Sequence, residues 1–118
     1  MKIRRTKVSD VVVLQVIGNL KTTEEMDDFK KETFPVFSGS FKKILIDFSE
    51  LEKITSEGLG SVNALQRLST ERGIELKITG LNEKMKELLR ITKLITVFSY
   101  YGSLGDALIS FKEEKNES

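Results

Sequence analysis

The stretch Ile44–Gly60, ILIDFSELEKITSEGLG, constrains the fold more than any other part of the chain. Ile44, Leu45, Ile46 and Phe48 form an apolar run broken only by Asp47, the pattern of a strand covered on both faces. Such a strand belongs in a sheet backed by helices. A short loop follows, and Ser56 stands where a helix begins. That helix opens with Glu57, Gly58 and Gly60, so its first turn carries little side-chain bulk. A serine there lies beside unpaired backbone N–H groups and the positive end of the helix dipole. Such a place can hold an anion, including a phosphate attached to the serine itself.

The flanking sequence supplies the rest of the sheet. Ile3–Val8 and the β-branched run Val11–Ile17 read as two strands joined by a tight turn at Ser9-Asp10, with Gly18-Asn19 ending the second. Thr22 and Glu25 have the spacing of a capping box; Met26, Phe29 and Thr33 share a face of the helix they open, and Pro35 marks its approximate end. Leu59, Val62, Leu65 and Leu68 form an apolar stripe after Ser56, stopped by Gly73. Ile74, Leu76 and Ile78 alternate with Glu75, Lys77 and Thr79, as in a half-buried strand ended by Gly80. Asn82 caps a helix with Met85, Leu88, Leu89 and Thr92 on one face. Ile95–Phe98 is expected as the last strand. Ser103 with Asp106 then opens a final helix with Leu104, Ala107, Leu108 and Phe111 facing inward. The predicted order is ββαβαβαβα: a single α/β domain over 1–111, its mixed and mostly parallel sheet backed by about four helices. Residues 112–118 are expected to form a charged, frayed tail.

Composition narrows the chemistry. The 118 residues are 39% hydrophobic and 31% charged, with a formal net charge of +1, so no global field draws in nucleic acid or an anionic membrane. Cysteine and histidine are both absent. That excludes disulfides, thiol catalysis, the serine–histidine triad and the commonest metal ligands. No convincing acid, base and nucleophile set remains; no catalytic residue, metal site or cofactor is expected. The basic cluster Lys2, Arg4, Arg5 and Lys7 suits an edge strand better than a targeting peptide. No apolar run approaches the roughly 20 residues that span a bilayer, which makes the cytoplasm the expected compartment. Nothing in the sequence demands more than a monomer, which is the expected state.

From the residues alone, several readings stand side by side. Ser56 reads first as a helix N-cap, favoured over alanine by about 1 kcal/mol, and a capping serine can also accept a phosphate. Glu57 favours the helix dipole; it would also repel a phosphate on Ser56 or mimic one. Gly58 and Gly60 serve either tight packing on the sheet or close approach of a partner's surface. Asp47 reads as a loop-bonding aspartate that orders Ser49 and Glu50, and could shape the loop presenting Ser56. Phe29, Phe34, Phe37, Phe41 and Phe98 are core or loop anchors, and Tyr100-Tyr101 is surface packing near the last helix.

The element order, the GNL at 18–20, the segment 44–60 and the helix after Leu81 together resemble a STAS domain, the module of bacterial anti-sigma-factor antagonists and sulfate transporters. The resemblance runs from about Ile3 to Phe111. Antagonists of this family carry Asp-x-Ser at a strand end, then Asp-Ser-Ser-Gly-Leu-Gly. Asp47 and Ser49 match the first motif; Ser56, Gly58, Leu59 and Gly60 match the second. Thr55 stands where the family has aspartate, Glu57 replaces the second serine, and Lys21 occupies the place of an acidic residue.

The resemblance implies a protein-binding regulator of transcription. Unphosphorylated, it would bind an anti-sigma factor that is also a serine kinase, of histidine-kinase-like ATPase fold, and so free a sigma factor. Phosphorylation of Ser56 by that kinase would switch it off, and a metal-dependent serine phosphatase would reset it. Thr55, Ser56, Glu57, Gly58, Leu59 and Gly60 would meet the partner. The departures at Lys21, Thr55 and Glu57 motivate an alternative, a STAS scaffold that is not phosphorylated. A third reading is a sensor of a small nucleotide or lipid.

Overall fold

The structure, a computed structural model, describes residues 1–116 of the chain, with side chains described through Lys112. The described residues form β1 (Lys2–Val8), β2 (Val11–Leu20), α1 (Thr23–Phe37), β3 (Lys43–Ile54), α2 (Ser56–Arg72), β4 (Glu75–Thr79), α3 (Glu83–Ile91), β5 (Ser99–Tyr101) and α4 (Leu104–Asn116). The strands lie in the order β1-β2-β3-β4-β5. β1 runs antiparallel to β2, and every later neighbour pairs in parallel. The α/β order and the mixed, mostly parallel sheet are as expected from the sequence.

Side-chain alternation sorts the apolar residues of the sheet onto two faces. Val12, Leu14 and Val16 of β2 and Ile44, Ile46 and Phe48 of β3 enter the main core with Phe29 of α1, Leu59, Val62 and Leu65 of α2, and Met85 and Leu89 of α3. Val11, Val13 and Leu45 point the other way, onto Ala107 and Phe111 of α4. The doubly covered strand read at Ile44–Phe48 is therefore real, and α4 is what covers its second face. At roughly 1.5–3 kcal/mol for each large apolar side chain fully buried, these two layers hold the sheet.

Several boundaries differ from expectation. Gly18, at φ 108°, does not end β2; it sits at a register irregularity, and the strand runs on to Leu20. β3 likewise continues to Ile54, because Leu51, Lys53 and Ile54 pair with Gly18, Asn19 and Leu20. Pro35 lies inside α1, which reaches Phe37. The ring forfeits a bond to the preceding turn, but buried Val36 and Phe37 carry the last residues into the core. β4 is covered on both faces rather than half-buried: Lys77 and Thr79 are both buried. Lys77 lies beneath α4, its Nζ 2.7 Å from Ser110 Oγ and over the rings of Tyr101 and Phe111.

The last strand is Ser99–Tyr101 and not Ile95–Phe98. Leu94 and Ile95 both donate their backbone N–H to the Leu89 carbonyl, and Lys93 adopts φ 62°, so the chain turns there instead of extending. Tyr100 and Tyr101 thus pair with Ile78 and Thr79 as sheet residues. Leu104 is exposed and does not face inward; Ala107 and Phe111 do. α4 continues to Asn116, within the segment expected as a tail; residues 117–118 lie outside the described residues.

Candidate functional site

The junction between β3 and α2 lies beside the end of β2. Thr55 takes an extended conformation (φ −101°, ψ 173°), and its Oγ1 accepts a hydrogen bond from Gly58 N at 3.1 Å. Its own N–H donates to the Leu20 carbonyl at 3.2 Å, and its carbonyl accepts from Leu59 N at 2.9 Å. Thr55 is therefore the N-cap, correcting the assignment of that role to Ser56. Ser56 is already the first helical residue, so its hydroxyl is not spent on the cap. It is exposed, as is Glu57 beside it.

Gly58 and Gly60 separate cleanly. A methyl group at Gly58 would strike the Leu20 carbonyl oxygen, which already receives the Thr55 N–H, and would lie 3.1 Å from Ile54 Cγ1. Gly58 is a packing residue. At Gly60 a methyl group would have nothing within 4 Å. No contact within the chain requires that glycine to be small, and it leaves the surface beside Ser56 low and open. Leu59 is 1% exposed and belongs to the core. Of the six residues expected at a partner surface, the fold exposes Ser56, Glu57 and Gly60, partly buries Thr55, and turns Gly58 and Leu59 inward.

On the β2 side of the junction, Lys21 is exposed and its backbone N–H is tied down. Glu25 Oε1 accepts from Lys21 N and Thr22 N, each at 2.9 Å, while Thr22 Oγ1 accepts from Glu25 N, completing the expected capping box. The two backbone donors, Lys21 first, hold the Glu25 carboxyl below its ordinary pKa. Both backbones that meet beneath Ser56 are thus hydrogen-bonded in place.

Asp47 does not reach this junction. It pairs mid-sheet with Gln15 and Thr79, and its Oδ1 accepts from Ser49 N at 2.9 Å. Gly80, at φ 79°, packs directly on that turn, where any side chain would meet Ser49 N. The local role read for Asp47 holds for Ser49, but the strand from Ser49 to Thr55 spans about 20 Å. Sequence reasoning missed the Leu20 carbonyl, which no side-chain pattern reveals. It also missed a groove of about 340 Å³ between the end of β3 and α3, lined among others by Leu51, Ile54, Leu88 and Ile91. Ile91 carried the signal: an apolar residue off the Met85–Leu89 face of its helix.

Comparison with known proteins places this geometry. The family model of the STAS domain matches residues 2–107. A Thermotoga neapolitana protein named as a candidate anti-sigma factor antagonist is 34% identical over 103 residues, covering 86% of this chain and 89% of the relative. The crystal structure of a candidate anti-sigma factor antagonist from Thermotoga maritima superposes with a TM-score of 0.80 at 24% identity, covering 92% of both chains. The anti-sigma factor antagonist SpoIIAA in its unphosphorylated form gives 0.76 at 16% identity, covering 95% of this chain and 97% of that one. The phosphorylated form of Bacillus SpoIIAA gives 0.70, also at 16%, covering 93% and 99%. Among the described residues no helix is long and apolar enough to cross a membrane.

Proposed function

The chain belongs to the STAS domain family, and we propose that it is an anti-sigma-factor antagonist whose grip on its partner is set by Ser56. One observation carries this reading: Ser56 is exposed, relieved of capping by Thr55, and stands beside the open surface at Gly60 on a backbone fixed to Leu20. Unphosphorylated, the exposed start of α2 docks on an anti-sigma factor that is also a serine kinase. Ser56 Oγ then attacks the γ-phosphorus of ATP held with magnesium by that kinase. Its proton passes to a base on the kinase and ADP leaves. A serine phosphatase hydrolyses the ester and restores the hydroxyl. This chain supplies the hydroxyl and none of the catalysis.

The phosphate adds about −1.5 to −2 charges at neutral pH. Within the chain it sits at the positive end of the α2 dipole, where Thr55 already takes the Gly58 and Leu59 N–H groups, so the fold tolerates it through the dipole. Across an interface, one like-charge contact near 4 Å at an effective dielectric of 20 costs roughly 4 kcal/mol. At about 1.4 kcal/mol per tenfold, binding weakens by several hundredfold. Glu57 adds a second carboxylate at the same place.

Intact-mass measurement after incubation with the cognate kinase, ATP and magnesium tests the reading. One added phosphate is expected on the native chain and none on Ser56→Ala. The departures at Lys21, Thr55 and Glu57 favour a competing reading, a constitutive scaffold, which takes up no phosphate in the same experiment.

A further inference from the structure

β3 outruns its neighbour. Its pairing with β4 ends at Asp47 opposite Thr79, yet the strand continues to Ile54 with β2 as its sole partner among the described residues. On the side that β4 leaves, the groove opens between this free edge and α3. Leu51, Ile54, Leu88 and Ile91 give it aliphatic walls, and Ile91 is 70% exposed, the most of any large hydrophobic residue among those described. Lys21, Lys53 and Lys84 stand around it with Glu52 and Glu87. Lys21, Lys53 and Lys84 form no side-chain ion pair or hydrogen bond among the described residues. The groove is continuous with the junction: Ile54 precedes Thr55, and Lys21 follows Leu20.

We propose that this groove receives an extended segment of the anti-sigma factor, which adds to the free edge of β3 over Glu50–Ile54, seats an aliphatic side chain against Ile91, and sets carboxylates against Lys21, Lys53 and Lys84. Three features select that occupant. A strand edge with no neighbour offers main-chain N–H and C=O groups to an incoming strand. The unpaired cations outnumber the carboxylates. The polar groups sit at the rim around an aliphatic wall, whereas a small-molecule site needs convergent polar groups inside to fix orientation. The inference rests on the antagonist reading and extends it: the partner is anchored along β3 and α3, and Ser56 lies at one end of the contact.

The test is titration calorimetry of the full chain with its cognate anti-sigma factor, alongside hydrogen exchange of the complex. Ile91→Asp is expected to weaken binding at least tenfold and Lys84→Glu about threefold to tenfold, with Ile91→Leu unchanged. Ile91 is too exposed for these changes to unfold the chain, and unchanged melting curves check this. Amides of Glu50–Ile54 facing away from β2 should become protected on binding. Wild-type affinity in Ile91→Asp without that protection overturns the groove and leaves the Ser56 reading standing. An anti-sigma factor that binds no form of the chain overturns both. Self-association abolished by Ile91→Asp, with partner affinity intact, would assign the groove to a second copy and overturn the proposal.

Discussion

Gly58 and Gly60, two residues apart and so on nearly opposite sides of α2, are identical residues with different roles. The Gly58 position is filled by the Leu20 carbonyl, so Gly58→Ala must either push α2 from the sheet or break the Thr55–Leu20 hydrogen bond. Overpacking of this kind costs about 1–3 kcal/mol, read as a lower denaturation midpoint at unchanged slope. Gly60→Ala meets nothing and removes a poor helix former, so it should gain up to about 1 kcal/mol in the same measurement. Its methyl group nonetheless raises the surface beside Ser56 and should weaken partner binding. Opposite effects on stability and binding at Gly60 distinguish a surface kept low for a partner from a neutral position. Thr55→Ala should cost about 1 kcal/mol through loss of the cap, and Ser56→Ala much less. The sequence marked both glycines and the serine. It could not separate them, because what separates them is a carbonyl from β2, distant in the chain and invisible to side-chain pattern.

At the scale of elements, local chemistry was legible and tertiary extension was not. The Thr22–Glu25 capping box, the Asn82 cap and the Gly73 stop all appear as their spacing implied. The ends of β2 and β3 did not, because each strand lengthens only by pairing with the other, through Gly18 and up to Leu20 and Ile54. Pro35 marks the end of α1 only approximately: burial of Val36 and Phe37 outweighs one lost backbone bond and carries the helix two residues further. The capping box at the start of α1 also makes a pH prediction. The Glu25 carboxyl titrates below its unfolded value because it accepts two backbone N–H bonds, from Lys21 and Thr22. Its stabilisation is complete above the unfolded carboxylate pKa and is lost as pH falls through the lower folded value. Melting temperatures of native chain and Glu25→Gln should therefore differ at neutral pH and converge in acid. A gap independent of pH would contradict the assignment.

For the whole molecule, the sheet divides labour between its faces and ends. α1, α2 and α3 close one face over the main core, and α4 closes the other with Phe111 and Ala107. Neither face is free to bind a partner broadly. Where the parallel strands finish, Ser56, Glu57, Gly60 and the end of β3 are displayed on a braced backbone. With a net charge of +1, the chain brings no strong field of its own, so a doubly charged phosphate at one exposed point alters the local electrostatics more than any nearby side chain. The most direct measurement is the affinity of the cognate anti-sigma factor for the native chain and for the same chain phosphorylated stoichiometrically at Ser56. The account predicts tight binding of the first and a loss of at least a hundredfold in the second, with melting temperatures alike. Equal affinity for the two forms would contradict it.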